Sequence, residues 1–516
     1  MHGNQNESQQ QSIAQEKASS MALLYFALLI LLFLFSLKLL FQTRRFRNLP
    51  PGPLSYPIIG NLLQLKQPYH RTFSQMSQKY GSVFSLWFGS RLVVVVCSQS
   101  AVQECFTKND IVLANRPHFL FGKYISYNNS TILHSSYGDH WRHLRRILSL
   151  EVVSATRLNS FYEVRRDEIM RLVQKLAKLS SHQFTKVDLK AMFMETSFNT
   201  MMRIVSGKRL FGDDCDVNDV EKAKEFKQII KELVILAGVN NRGDFLPFVR
   251  WFDFDNLEKK LKGIGKRTDA FLQELIEEHR NGKNNGNTMI DHLLAQQKSQ
   301  PEQYTDQIIK GLSLSLLLAG TDTSALTLEW AMANLLNHPE VIKKAKNEID
   351  TYVGPNRLIE ESDMSKLSYI QCIVYETLRL HPAAPIWSPH LSSEDCIVGK
   401  YNLPKDTIVL VNAWAAHMDP EMWSDPTHFK PERFENENEV NRLLSFGLGR
   451  RACPGSNLAQ RTVGLSIALL LQCFEWKRIG KEEIDMSEAN GITISRKNSL
   501  EAMCQLHRSP AVKDMY

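Results

Sequence analysis

The stretch Phe446-Gly447-Leu448-Gly449-Arg450-Arg451-Ala452-Cys453-Pro454-Gly455 holds the densest chemistry in the chain. Gly447, Gly449 and Ala452 formally match a G-x-G-x-x-A dinucleotide fingerprint. A Rossmann helix would then have to run through Pro454 and Gly455, and no βαβ unit follows, so that reading fails. Read through the cysteine instead, the two glycines let the backbone bulge tightly against something flat, and Pro454 suits the first turn of a following helix. Cys453 would then sit at a helix N-terminus beside Arg450 and Arg451, where backbone N–H groups, the helix dipole and the cations all favour thiolate. Three roles fit such a sulfur: an axial ligand of haem iron, a buried inert thiol, or a catalytic nucleophile. The shallow glycine-lined setting, without a second cysteine nearby, suits the first.

Three further constellations stand apart from the cysteine. Ala319-Gly320-Thr321-Asp322-Thr323-Ser324 interrupts an apolar helical run with poor helix formers, which predicts a bulge or kink able to house a small oxygenic ligand and a proton path. The alternative is a merely imperfect buried helix. Glu376 and Arg379 stand at i and i+3 and share a helix face, with Ile373, Val374, Leu378 and Leu380 around them. Such a setting makes a buried pair plausible, and a buried carboxylate needs a full set of partners; Arg433 could supply a second guanidinium. Trp141 and Arg145, four apart, could together hold a carboxylate, or could be a core tryptophan beside a surface arginine.

These residues need elements to position them. Residues 83–97 read as two short strands joined at Gly89-Ser90. From about 139 to 350 the pattern is helical, with long periodic segments at 161–180, 221–236, 255–280, 305–337 and 340–350 and breaks at Gly243, Pro247, 281–287 and Pro301. A further helix covers 365–380, strand-like residues run from 406 to 411 and surround Ile492-Thr493, and a last helix covers 454–472. No repeat or low-complexity linker divides residues 61–516, which predicts one mainly helical domain with a minor sheet component.

The composition excludes several function classes. With 516 residues, 43% hydrophobic and 23% charged, the chain has too much apolar side chain to be disordered. A net charge of +7 spread along the chain gives no nucleic-acid footprint. Eight cysteines without a C-x-x-C pair argue against zinc ribbons, ferredoxin clusters and dithiol redox sites. Only residues 21–41 are apolar enough to span a bilayer, which excludes channels and multi-pass transporters. Lys38, near the end of that run, and Arg44, Arg45 and Arg47 beyond it place the large remainder on the cytoplasmic side. Residues 1–20 form a polar extension, with Met21 a second candidate start of translation, and residues 42–60 form a basic, proline-rich strap.

Taken together and in this order, the four constellations resemble the cytochrome P450 family of haem-thiolate monooxygenases. Its F-x-x-G-x-R-x-C-x-G pattern is met by Phe446, Gly449, Arg451, Cys453 and Gly455, its A-G-x-D-T-[TS] pattern by Ala319 through Ser324, its E-x-x-R pattern by Glu376 and Arg379, and its W-x-x-x-R pattern by Trp141 and Arg145. The resemblance implies a mainly α fold with a minor β component, behind one N-terminal transmembrane helix. It implies haem b as cofactor, with Cys453 the iron ligand in its loop and Trp141, Arg145, His390 and Arg451 contacting the propionates. Asp322 and Thr323 would deliver protons beside bound dioxygen, and Glu376, Arg379 and Arg433 would be structural. Electrons would come from NADPH through NADPH–cytochrome P450 reductase, with cytochrome b5 an optional partner, at the endoplasmic reticulum membrane. Arg142, His143, Arg145, Arg146 and Arg450 would offer that reductase a basic face.

The strap LPPGP and the phrases SLWFGSRLVVVVCS, CFTKND, VLANRP and NTMIDHLL are similar to the CYP81 group of plant microsomal enzymes, isoflavone 2′- and 3′-hydroxylases above all. A small, flat, hydrophobic aromatic substrate is implied, against walls that include Leu316, Ala319, Ile386 and Trp387. Flavones, lignans (including methylenedioxy-bridge formation) and indolic compounds are the alternatives. A P450-fold isomerase or dehydratase would have no use for Asp322-Thr323, and a haem or steroid carrier would leave the whole oxygen groove idle.

Overall fold

Two helices that are apolar nearly all the way round lie at the centre of the molecule. In the computed structural model, which describes residues 17, 19–33, 47–212, 220–238, 242–246, 256–282 and 286–507, these are Asp322–Asn337 and Ser456–Cys473. Every residue from Ser324 to Leu336 is buried, as a helix without a polar face requires. Leu189–Ser206, Ser368–Leu380, Pro339–Tyr352 and Tyr162–Ser180 pack around this pair and complete one apolar cluster. A second cluster joins Asp139–Ile147, Val220–Gly238, Leu257–Arg280 and Asp306–Gly320.

The predicted hairpin forms. Val83–Phe88 pairs antiparallel with Arg91–Val96 across a turn in which Gly89 takes φ 59°. The run Val93–Val96 is fully buried, as expected of a strand covered on both faces. It pairs in parallel with Ile408–Val411, and His390–Leu391 completes a sheet of four strands.

Some elements differ from the sequence reading. The helix Leu189–Ser206 was not among the periodic segments, because it is buried on almost every side and shows little amphipathic contrast. No strand forms at Ile492-Thr493. The nearby strands are Phe474–Lys477 and Glu501–Leu506, which join Thr185–Asp188 in a sheet of three. The segment between them is an irregular loop pinned by a Glu488–Arg496 bridge.

Residues 19–33 are helical with their side chains exposed, while residues 34–41 of the expected anchor, with Lys38, and residues 42–46 of the strap, with Arg44 and Arg45, lie outside the described residues. Among the described residues no helix is long and apolar enough to cross a membrane, so the expected transmembrane helix is not seen. The described part of the strap carries no helix and docks on the hairpin. Ser85 donates its N–H to the Pro51 carbonyl at 2.8 Å and its hydroxyl to the Pro50 carbonyl at 2.7 Å. Gly52 is required there, because a Cβ would collide with the carbonyl of Ser85.

Candidate active site

The cysteine loop is built from its own backbone. The N–H of Gly447 donates to the Leu444 carbonyl at 3.0 Å, and the N–H of Cys453 donates to the Phe446 carbonyl at 2.7 Å. Closing so tight a loop takes left-handed residues, and Gly447 and Gly449 supply φ 72° and 67°. Gly449 also has no room for a side chain, because an Asp110 carboxylate oxygen fills the space a Cβ would take. That carboxylate accepts from the Arg450 amide at 3.0 Å and its guanidinium at 2.6 Å. The following helix begins at Ser456, and the Cys453 thiol receives the N–H groups of Gly455 and Ser456. The Cys453 residue is solvent-accessible although protein atoms surround its sulfur.

The expected thiolate activation is not what this environment gives by itself. Burial pushes the Cys453 thiol up, and the Gly455 N–H, Arg145 and the Ser456 N–H only partly oppose it. Arg450 and Arg451 are engaged elsewhere. A cation bonded to the sulfur would favour the thiolate and expel the proton.

Beside the loop lies a cluster of cations without an acid. Arg451 donates to the carbonyls of Ala114 at 2.8 Å, Ser135 at 2.6 Å and Ile132 at 3.3 Å. Arg145 donates to the carbonyl of Ala452 at 2.8 Å, next to the cysteine. Arg116, buried, donates to the carbonyls of Ser388 and Pro389, both at 2.7 Å, and its Nε has no partner. Burial pulls Arg116 down to about 10 and Arg451 to about 9, the latter with help from the charges of Arg116 and Arg145. His390, buried, and His134, half-buried, are both pushed towards the neutral form in the same neighbourhood. His390 faces the Leu113 carbonyl through Nδ1 at 2.7 Å. The Trp141 indole N–H donates to the Ile132 carbonyl at 3.1 Å, and its ring lies under the Arg451 guanidinium at 4.4 Å, so it braces the arginine.

The interrupted helix breaks where expected. Asp306–Gly320 ends and Asp322–Asn337 begins across Thr321, whose hydroxyl is buried without a partner. Thr323 donates its hydroxyl to the Ala319 carbonyl at 2.5 Å. The Asp322 carboxylate accepts from the Thr493 hydroxyl at 3.2 Å, and burial raises its pKa against the opposing influence of Thr493 and Lys190. Gly320 faces the buried Met201, whose sulfur would lie 2.5 Å from an added Cβ.

Glu376 and Arg379 form a bidentate pair at 2.7 and 2.9 Å with both side chains 0% exposed. Arg433 donates to the same carboxylate at 3.1 Å, and the Lys430 amide adds a bond at 2.9 Å. Arg379 also reaches the carbonyls of His417 at 2.9 Å and Pro426 at 2.7 Å. With a further bond from Arg379 to the His428 carbonyl, every N–H of that guanidinium and both oxygens of the carboxylate are engaged, as desolvated charges demand.

Cys453, Arg145, Arg451 and His390 are brought close enough to feel one another's charge, and Asp322 and Thr323 lie at the helix break. Arg116, His134 and Thr493 contribute residues that the sequence reading did not single out. Arg116 carried one signal, an arginine held extended by Pro117 inside an apolar stretch. Trp387, expected on a substrate-facing wall, turns into the core and donates to the Leu444 carbonyl at 3.0 Å. The expected basic face is thinner than its sequence. Arg142 pairs with Asp139, Arg450 with Asp110, and Arg145 turns inward.

The family model described as "Cytochrome P450" matches residues 50–503. The chain is 67% identical to "Cytochrome P450 81E8" of Medicago truncatula over 499 residues, covering 96% of this chain and 100% of that one. It is 60% identical to "Isoflavone 3'-hydroxylase" of the same species, covering 94% of this chain and 98% of the relative. Among solved structures it is similar to a zebra fish cytochrome P450 with progesterone, at TM-score 0.73 and 25% identity, covering 86% of this chain and 100% of that chain.

Proposed function

Since the chain belongs to the cytochrome P450 family and is a haem-dependent monooxygenase oxidoreductase, we propose that it hydroxylates an aromatic ring of a flat phenylpropanoid-derived substrate, an isoflavone at the 2′ or 3′ position. The observation that carries the reading is the acid-free cluster of Arg116, Arg145 and Arg451 beside the Cys453 sulfur. Three crowded guanidiniums whose hydrogen bonds all go to carbonyls, one of them with an orphaned Nε, fit a dianion. The two propionates of a haem have that charge, and a single thiol ringed by backbone N–H groups fits its iron. The chemistry the group supplies when bound is dioxygen activation with electrons drawn from NADPH through a reductase.

The remaining steps belong to the protein. Arg116, Arg145, Arg451 and His390 hold and orient the cofactor, and Trp141 stiffens Arg451. Monooxygenation consumes two protons for each oxygen atom inserted. Asp322, whose pKa burial raises, places a carboxyl for proton transfer near the break, with Thr493 fixing one of its oxygens. Thr323 spends its hydroxyl hydrogen on the Ala319 carbonyl, which leaves the oxygen lone pairs free to accept and pass a proton. Leu316 and Ala319 offer an apolar surface suited to a flat ring.

Identity to an isoflavone 3′-hydroxylase supports the substrate class. We place the body on the cytoplasmic side of the endoplasmic reticulum membrane behind residues 21–41, in reach of NADPH–cytochrome P450 reductase and cytochrome b5. The test is NADPH-dependent turnover in reductase-containing microsomes on a panel of isoflavones, flavones, lignans and indolic compounds, with products assigned by NMR. Ring-hydroxylated isoflavone is expected. Turnover of another class with no isoflavone product overturns the substrate assignment.

A further inference from the structure

His417 closes the short helix Ala413–His417, is 0% exposed, and has both ring nitrogens engaged. Nδ1 lies 3.0 Å from the Arg379 carbonyl, which can only accept, so Nδ1 carries the hydrogen. Nε2 lies 2.9 Å from the Leu444 amide, which can only donate, so Nε2 is the bare acceptor. The two bonds fix one neutral tautomer, since a second ring proton would face an N–H. Burial, with the charge of Arg379 beside it, holds the imidazole down at about 3, and so it stays neutral throughout the physiological range.

The two partners belong to different parts of the site. Arg379 is the buried guanidinium of the Glu376 cluster, and it also donates to the His417 backbone carbonyl at 2.9 Å, so the two residues are joined twice, each by its side chain to the other's backbone carbonyl. Leu444 opens the cysteine loop. Its carbonyl receives Gly447 N–H and Trp387 Nε1–H, both at 3.0 Å, and Ser445 donates to the Leu378 carbonyl at 2.7 Å. Two residues on, the Phe446 carbonyl takes the Cys453 amide. A continuous path therefore runs from the Glu376 carboxylate through Arg379 and the imidazole to the backbone that presents the sulfur.

We propose that His417 is the positioning residue through which the Glu376–Arg379–Arg433 cluster fixes the loop that carries Cys453. The inference rests on the reading of Cys453 as the haem ligand. Removing the imidazole leaves a buried Leu444 N–H unpaired at the root of the loop. The sulfur should then slip from its place more readily while the rest of the fold persists.

The experiment uses the full-length enzyme in detergent-solubilised membranes, as His417→Phe and His417→Gln. The side-chain oxygen of Gln can reach the place of Nε2 and restore the acceptor for Leu444. Phe474→Leu, a fully buried substitution in the sheet of three strands, serves as a control for general loss of stability. Two rates are read: conversion of the reduced carbon monoxide complex from its thiolate band to the neutral-thiol band on mild warming, and transfer of ferric haem to apomyoglobin. Both should rise about tenfold or more in His417→Phe, the effect of losing one buried hydrogen bond. His417→Gln should lie close to wild type and Phe474→Leu should leave both rates unchanged. If His417→Phe yields no haem protein, a His417→Gln enzyme that retains the thiolate band supports the proposal. His417→Gln behaving like His417→Phe overturns it, as does Phe474→Leu accelerating both rates equally. A wild-type enzyme without a thiolate band, or a haem-loaded Cys453→Ser enzyme that keeps it, would instead remove the underlying ligand assignment.

Discussion

Replacing Glu376 by Ala gives the sharpest separation between a fold residue and a chemical one. An exposed ion pair would be worth at most about 1 kcal/mol, but both members of this one are 0% exposed. The carboxylate accepts from Arg379 twice, from Arg433 and from the Lys430 amide. Alanine removes all four bonds and strands one guanidinium at 0% side-chain exposure and another at 9%. Breaking a buried pair in this way costs about 3–5 kcal/mol, a large share of a total stability of about 5–15 kcal/mol. Glu376→Gln keeps the volume and one oxygen but turns an amide N–H towards a cation, so it should fall between wild type and Ala. The assay is the urea midpoint together with haem bound per mole of purified protein. Both should drop, in the order wild type, Gln, Ala. An Ala variant with wild-type midpoint and full haem but no turnover would refute the argument and give Glu376 a part in the reaction.

Arg116→Leu preserves much of the buried volume and deletes one guanidinium of the acid-free cluster, so haem should transfer to apomyoglobin faster; an unchanged rate removes Arg116 from the binding set. Thr323→Ala should lower product formed per NADPH consumed by about tenfold or more while substrate affinity holds; unaltered coupling and rate exclude the proton-passing role. Burial opposes ionisation of Glu488, yet His70 and Arg71 outweigh it and hold the carboxyl at about 2 instead of 4.5. Because the folded pKa is depressed, this contribution is complete above pH 4.5 and fades as pH falls towards about 2, so Glu488→Gln should flatten the acid limb of urea midpoint against pH; an identical limb contradicts it. Asn128 and Asn129 both begin glycosylation sequons in the body. A mobility-shift assay on microsomes should find neither modified, and a glycan on either would place the body in the lumen.

How far the sequence carried the reading depended on whether a relation was local. Glu376 and Arg379 are one helical turn apart, and the Gly-x-Gly spacing before Cys453 dictates a loop, so both were legible from periodicity and glycine chemistry. The helix break at Thr321 was legible from three poor helix formers in a row. Arg116 meets Arg451 only because the hairpin sheet and the cysteine loop converge, and His417 meets Leu444 across 27 residues of irregular chain. Nothing local distinguishes such residues from any arginine or histidine. The partner of the Trp141 indole N–H, a carbonyl nine residues earlier, was equally invisible, since no spacing rule names it. The thiol of Cys453 was misjudged on magnitude, since the sequence displays neighbouring charges but not the burial that outweighs them.

Met201 at the helix break has a mechanical consequence. The gap between the two helical halves is backed by a thioether, and methionine is the most deformable side chain that could stand there. The break therefore rests against a cushion rather than a wall, and that cushion is carried on the Leu189–Ser206 helix. Stiffening it with a β-branched residue should change the backing of the break without altering Asp322, Thr323 or the apolar surface near them. A helix that supplies none of the reacting groups thus becomes a tuning element, and directed variation of coupling efficiency has a place to start outside the substrate-facing surface.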